Sequence, residues 1–167
     1  VHTLGKGKYD LAISVAVFEQ FLNIDATLER FAALLVPGGR TFHHFITSQA
    51  AIPRFLNPKK ILILNPEKTR IGQYFPGGRV WPHDELSRHT AHFDLVNSWF
   101  VNGLNYWRTL DEWHRRYWSH IPELYGTVFD TAAIKYWNEY FSLSKAMFAP
   151  MEGQFYGNSH YLFKLKN

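Results

Sequence analysis

Cysteine is missing from this sequence, which excludes disulfides, thiolate metal sites and a cysteine nucleophile within the chain. No apolar run approaches the ~18 residues that a membrane span requires. The start, Val1-His2-Thr3, has neither the basic opening nor the apolar stretch of a signal peptide, and no initiator methionine, so the chain reads as a fragment or a processed product. There is no G-x-S-x-G elbow to support a serine hydrolase. Nine histidines are present, but no HExxH pair, and His83, His89 and His92 lack a partner set at metal-ligand spacing, so no metal site is expected. Gly5-Lys6-Gly7 looks like part of a dinucleotide loop, yet it precedes a strand-like stretch, whereas such a loop follows one. Repeats and low-complexity tracts are lacking as well.

What remains is the composition of one globular unit. At 167 residues, 46% hydrophobic and 19% charged, the chain can bury one sizeable core. Aromatic residues make up 17%, which fits either a ring-rich core or a pocket for a large apolar or flat substrate. The net charge of +4 is concentrated in residues 52–79, where Arg54, Lys59, Lys60, Lys68, Arg70 and Arg79 face Glu67 alone. Phe55, Leu56 and residues 61–64 interleave with these charges. That mixture suits an anionic lipid surface better than a nucleic-acid backbone, or it is an ordinary solvated face.

Residues 9–15 form a short, nearly continuous apolar run, expected to be a strand buried on both faces. Asp25 or Thr27 can cap a helix through Leu28, Phe31, Ala32 and Leu35, which Pro37-Gly38-Gly39 stops. Residues 41–46 then read as a second strand, giving a βαβ unit and hence a parallel sheet. Residues 47–82 carry five prolines and read as irregular, of the kind that serves as a lid. A short helix is expected over residues 84–90, a third strand over 93–101, and a turn at Asn102-Gly103. Tyr106, Leu110, Trp113 and Tyr117 share a helical stripe, and a second long helix runs over residues 129–148 with Tyr136, Tyr140, Leu143 and Met147 on one face. Residues 160–166 close the chain as a strand.

In an open α/β sheet, ligands sit beyond the carboxyl ends of the strands. Residues 14–20, 44–48 and 102–106 should therefore converge. They carry Glu19, His44 and Tyr106, a set able to bind a small anion, position a base or steady a developing cation. Strand-end residues of these types also occur as surface caps and structural groups.

Four motifs then resemble one family, in order along the chain. YDLAISVAVFEQ (residues 9–20) resembles the FDxIxSVxMFEH motif of cyclopropane-fatty-acid and mycolic acid cyclopropane synthases. LLVPGG (residues 34–39) resembles the turn before the fifth strand of class I methyltransferases. IGQYFPGG (residues 71–78) resembles IxKYIFPGG, and NYWRTLDEW (residues 105–113) resembles HYxxTLxxW. HHF (residues 43–45), NSWFVNG (residues 97–103) and YLFK (residues 161–164) are similar to the coclaurine N-methyltransferase branch.

The resemblance implies an α/β fold: the C-terminal half of a Rossmann-like, class I methyltransferase, strands four to seven. Three of these would be parallel and the last antiparallel, with residues 47–92 as a lid or substrate-side insertion. It implies S-adenosylmethionine as cofactor, held mostly by a missing N-terminal half and touched here by Ser14, Val15 and Phe18. In cyclopropane synthases a bicarbonate ion serves as base. Its ligands correspond here to Glu19, His44, the backbone at Ile46, and Tyr106, while the family's cysteine ligand would lie in the missing half. The activity implied is transfer of a methyl(ene) group to an unsaturated lipid acyl chain. Alternatives are a small-molecule N- or C-methyltransferase, or a non-catalytic fragment. Ala16 and Gln20 depart from the N-methyltransferase branch, which has an acidic residue and a histidine there. The chain alone is expected to be inactive. Its partners would be a lipid or hydrophobic small molecule, an N-terminal half on another chain or a second copy, and no nucleic acid. Its expected place is cytoplasmic, with peripheral contact to anionic membrane an option.

Overall fold

The computed structural model describes residues 7, 9–49, 62–63 and 70–166. Arg54, Lys59, Lys60 and Lys68 of the basic segment therefore lie outside the described residues. Strand β1 (Tyr9–Val15) leads through a 3-10 turn at Phe18–Gln20 to helix α1 (Ile24–Leu34), which passes directly into β2 (Leu35–Ser48). Next come the short β3 (Leu62–Ile63), α2 (Arg70–Tyr74) and β4 (Arg79–Pro82). Strand β5 (Phe93–Asn102) precedes the two long helices α3 (Gly103–Leu124) and α4 (Thr131–Phe148), and β6 (Tyr156–Leu165) closes the chain.

The sheet has six strands. β1 lies parallel to β2, while β6 sits antiparallel between β2 and β5. β1, β2 and β5 thus run one way and the last long strand runs the other, as the resemblance implies. The outer edge of β2 is shared: β1 pairs with it as far as His44, and β4 takes over at Thr47. This handover leaves a gap in the edge at Ile46.

Several local expectations are corrected. The cap of α1 is Asn23, whose side chain accepts from Ala26 N–H at 3.1 Å, and neither Asp25 nor Thr27. Asn23 is the residue with extended backbone one step before the helical dihedrals begin, which is what a cap requires. Pro37-Gly38-Gly39 lies inside β2, because Leu35 has already turned extended and ended the helix. Within residues 84–90 only a 3-10 turn, Leu86–Arg88, forms. Residues 79–82, expected to be irregular, form β4. Asn102-Gly103 makes no turn: Asn102 accepts from Leu104 N–H at 2.8 Å and caps α3, so strand runs straight into helix. β6 begins at Tyr156, four residues earlier than expected.

Two cores hold the fold. One face of β2 carries Thr41, His43, Phe45 and Thr47, all fully buried, against Phe18, Leu28 and Trp81. Phe18 stacks on Phe45 and meets Phe21 edge-on. The second core joins α3 and α4 through Leu110, Phe141 and Phe148, with Ile46 reaching it from the sheet. Lys145 staples the two helices by an ion pair to Asp111 at 2.7 Å. Gly103 sits where α3, the end of α4 and β6 cross. A Cβ there would collide with Tyr156 O and lie 3.0 Å from Phe148 O, so only glycine permits the crossing.

β1 is not buried on both faces. Leu11, Ile13 and Val15 are exposed, Ile13 by 61%, along a strand whose outer edge is unpaired among the described residues. Phe42, Trp99 and the His44–His160 pair continue the same open side of the sheet.

Candidate active site

The rim of the sheet at the C-terminal end of β1 is shaped by one bend. Ala16 adopts a left-handed backbone (φ 54°) while its N–H donates to His44 O at 2.8 Å. Such a conformation costs a non-glycine residue about 1–3 kcal/mol and persists where the surroundings fix it. The chain turns there into the 3-10 segment. Phe18 is driven into the core, and Trp81 Nε1–H donates to its carbonyl at 3.1 Å. With Phe18 pinned inward, Glu19 is directed to the gap in the β2 edge, where Ile46 N–H donates to Glu19 Oε1 at 2.9 Å.

Glu19 is 9% exposed. Its second oxygen, Oε2, is buried with no hydrogen-bond partner among the described residues. Burial raises the carboxyl above its ordinary pKa, against the opposing pull of the Ile46 hydrogen bond. It borders a cavity of about 230 Å³. Tyr106 from the first turn of α3 faces the same space, as do Tyr140, Ser144 and Met147 of α4 and Ile71 and Phe75 around α2. The Tyr106 phenol is pushed up by burial first, then by Tyr140 and Glu19 nearby. Its ring meets Phe148 edge-on at 4.8 Å. A single buried carboxylate facing rings and phenols can stabilise a cation or take a proton.

The sequence-derived residues divide on inspection. Glu19, Ile46 and Tyr106 meet at one cavity. His44 lies next to it in the chain but does not line it; its Nδ1 is paired with His160 Nε2 at 2.8 Å on the open side of the sheet. The Ile46 N–H is already taken by Glu19. In this arrangement the four residues do not line one pocket. Of the residues assigned to the cofactor, Ser14 is bonded to His43 Nδ1 at 2.8 Å and Phe18 is in the core, while Val15 is exposed. These side chains supply no polar grip for a cofactor, and none of the described residues forms a metal-binding group of three.

Tyr140 and Ser144 were not singled out as site residues. Their one-turn spacing on a helix was visible, but nothing local in the sequence says that this face turns to Glu19, some 120 residues away.

The model of the mycolic acid cyclopropane synthetase family matches residues 3–156. The chain belongs to the mycolic acid cyclopropane synthetase family. No curated protein sequence matches it. Among solved structures it is similar to coclaurine N-methyltransferase bound to N-methylheliamine and S-adenosylhomocysteine, at 22% identity and a TM-score of 0.77, covering 95% of this chain and 48% of that one. It is also similar to the cyclopropane synthase MmaA2 from Mycobacterium tuberculosis (17%, TM-score 0.70, 95% and 56% covered). A third is mycolic acid cyclopropane synthase CmaA1 complexed with S-adenosylhomocysteine and CTAB (18%, TM-score 0.70, 98% and 57% covered). The chain spans about half the length of these structures. They show that this member of the mycolic acid cyclopropane synthetase family has the class I methyltransferase fold. Among the described residues no helix is long and apolar enough to cross a membrane.

Proposed function

We propose that this chain is the acceptor-binding half of an S-adenosylmethionine-dependent methyltransferase that acts on the double bond of an unsaturated acyl chain. The observation that carries the reading is Glu19: a buried carboxylate, fixed by one oxygen and unpartnered at the other among the described residues, bordering an apolar cavity walled by rings. S-adenosylmethionine supplies an electrophilic methyl when bound. The residues of this chain align the acceptor, exclude water and meet the positive charge that an attacked alkene develops. Glu19 Oε2 meets that charge and accepts the proton whose loss from a neighbouring carbon gives the neutral product, while the Tyr106 and Phe148 rings border the same space. Within the 47–92 insertion, α2 acts as a cover: Ile71, and Phe75 just after it, border the cavity, and α2 is tied to α4 by the Arg70–Glu139 pair, 2.6 Å at Nη2.

A second reading, methyl transfer to a compact amine, is favoured by the small size of the cavity and its closure by α2. An ammonium product meets Glu19 in the same way.

The test combines this chain with a polypeptide supplying the first three strands. Transfer from labelled S-adenosylmethionine is then measured to vesicles of cis-unsaturated phospholipid and to a panel of aromatic amines. Glu19→Gln should lower kcat at least about 100-fold on the true acceptor, on the scale of losing one electrostatic partner of the transition state. Undiminished turnover in Glu19→Gln would sink the reading, and transfer to amines alone would replace the first acceptor class with the second.

A further inference from the structure

Two buried side-chain oxygens make no well-formed hydrogen bond among the described residues, and both border the same cavity. One is Glu19 Oε2. The other is Ser144 Oγ, on the opposite wall, in a residue only 4% exposed. Its polar neighbour is the Tyr140 phenol, one helical turn back, which also borders the cavity; burial raises that phenol, and the Ser144 hydroxyl within its reach pulls it back down. Buried polar atoms are paired in the great majority of cases, and leaving a hydroxyl unpaired costs free energy. Here the cost falls at a pocket, which is where a ligand recovers it.

We infer that Ser144 and Tyr140 form a second polar anchor that binds a neutral hydroxyl of the acceptor, across the cavity from Glu19. The inference rests on the reading of this cavity as the acceptor's site and adds the class of acceptor it takes: one bearing a hydroxyl group. A serine hydroxyl both donates and accepts, as does a phenol, so together they reciprocate an O–H. A charged group is disfavoured there, because Ser144 and Tyr140 bring no opposite charge to offset its desolvation. A site built to bond a hydroxyl discriminates against the analogue lacking it, because its own buried groups are then left unpaired. Ser144 is therefore a specificity-determining residue, not a catalytic one.

The test needs no methyl transfer. Two probes differing by one hydroxyl, 4-methylphenol and toluene, are titrated into this chain and followed by tryptophan fluorescence and by chemical shifts of α4. The wild-type chain should prefer 4-methylphenol, and Ser144→Ala should reduce that preference roughly five- to tenfold, as expected for one buried hydrogen bond. Tyr140→Phe should reduce it in the same direction while leaving toluene binding unchanged. Ser144→Ala should also leave the thermal midpoint equal or higher, since the buried oxygen it deletes makes no well-formed hydrogen bond. An unchanged preference, or no binding of either probe, overturns the inference. So does a lowered midpoint in Ser144→Ala, which would assign the hydroxyl to a structural water. Loss of the methyltransferase reading with the hydroxyl preference intact would separate the two claims.

Discussion

His43 and His44 are neighbours in sequence and look out on opposite sides of the sheet. His43 is fully buried, bonded to Ser14 and to Thr41 (3.1 Å) and wedged against Phe18 and Phe31, and burial drives its pKa down to about 3. His44 is half-buried on the open side and bonds another imidazole; burial, and then the charge of His160, lower its pKa as well. The two sides have different status. The closed side is a finished core whose polar groups are matched within the chain. The open side carries Leu11, Ile13 and Val15 at the surface along β1, and Trp99 beyond the His44–His160 pair, exposed apolar side chains of the kind that mark a contact site. The matched solved structures are about twice as long as this chain, and among the described residues β1 is an unpaired edge, the kind of edge that pairs readily with another strand.

Substitutions can break or sharpen that contrast. Phe45→Ala, on the closed side, should cost about 3–5 kcal/mol, the usual loss for emptying a buried ring site, measured by urea unfolding. Next in size is the pH response of His43. Its folded pKa lies below the unfolded value of 6.5, so its neutral form stabilises the fold fully above pH 6.5, and that stabilisation drains as pH falls toward 3. Between pH 6.5 and 5 this amounts to about 2 kcal/mol. His43→Gln should flatten the pH dependence of unfolding over that range, and an unchanged slope would contradict the assigned environment. Smallest is Ile13→Thr on the open side, expected within about 0.5 kcal/mol of wild type in this chain, with improved solubility on sedimentation. A large destabilisation there would mean that the open side is already engaged.

The sequence made the same division only halfway. Element order, the two long helices and the antiparallel last strand follow from periodicity and from the motifs. The apolar run of β1 reads as a strand buried on both faces, whereas Leu11, Ile13 and Val15 are exposed, because composition alone does not say which face of a strand is covered. Asn23 escaped notice as a cap, since Asp25 and Thr27 are equally good capping residues and the choice depends on where the backbone turns helical. At the site, Glu19 and Tyr106 stood on recognisable strand and helix ends. Ser144 and Tyr140 did not: the convergence of a late helix on an early turn has no local spacing. The placement of His44 depends on His160, a partner more than a hundred residues away.

The crossing at Gly103 fixes how the molecule can respond to what it holds. Three backbones touch there without a side chain between them, so α3, α4 and the sheet behave as a single jaw with no internal slack. Adjustment to contents of different bulk falls to the short α2, which meets α4 through the exposed Arg70–Glu139 ion pair and ring contacts of Tyr74 with Tyr136 and Tyr140. The cavity therefore has one rigid wall and one that can give.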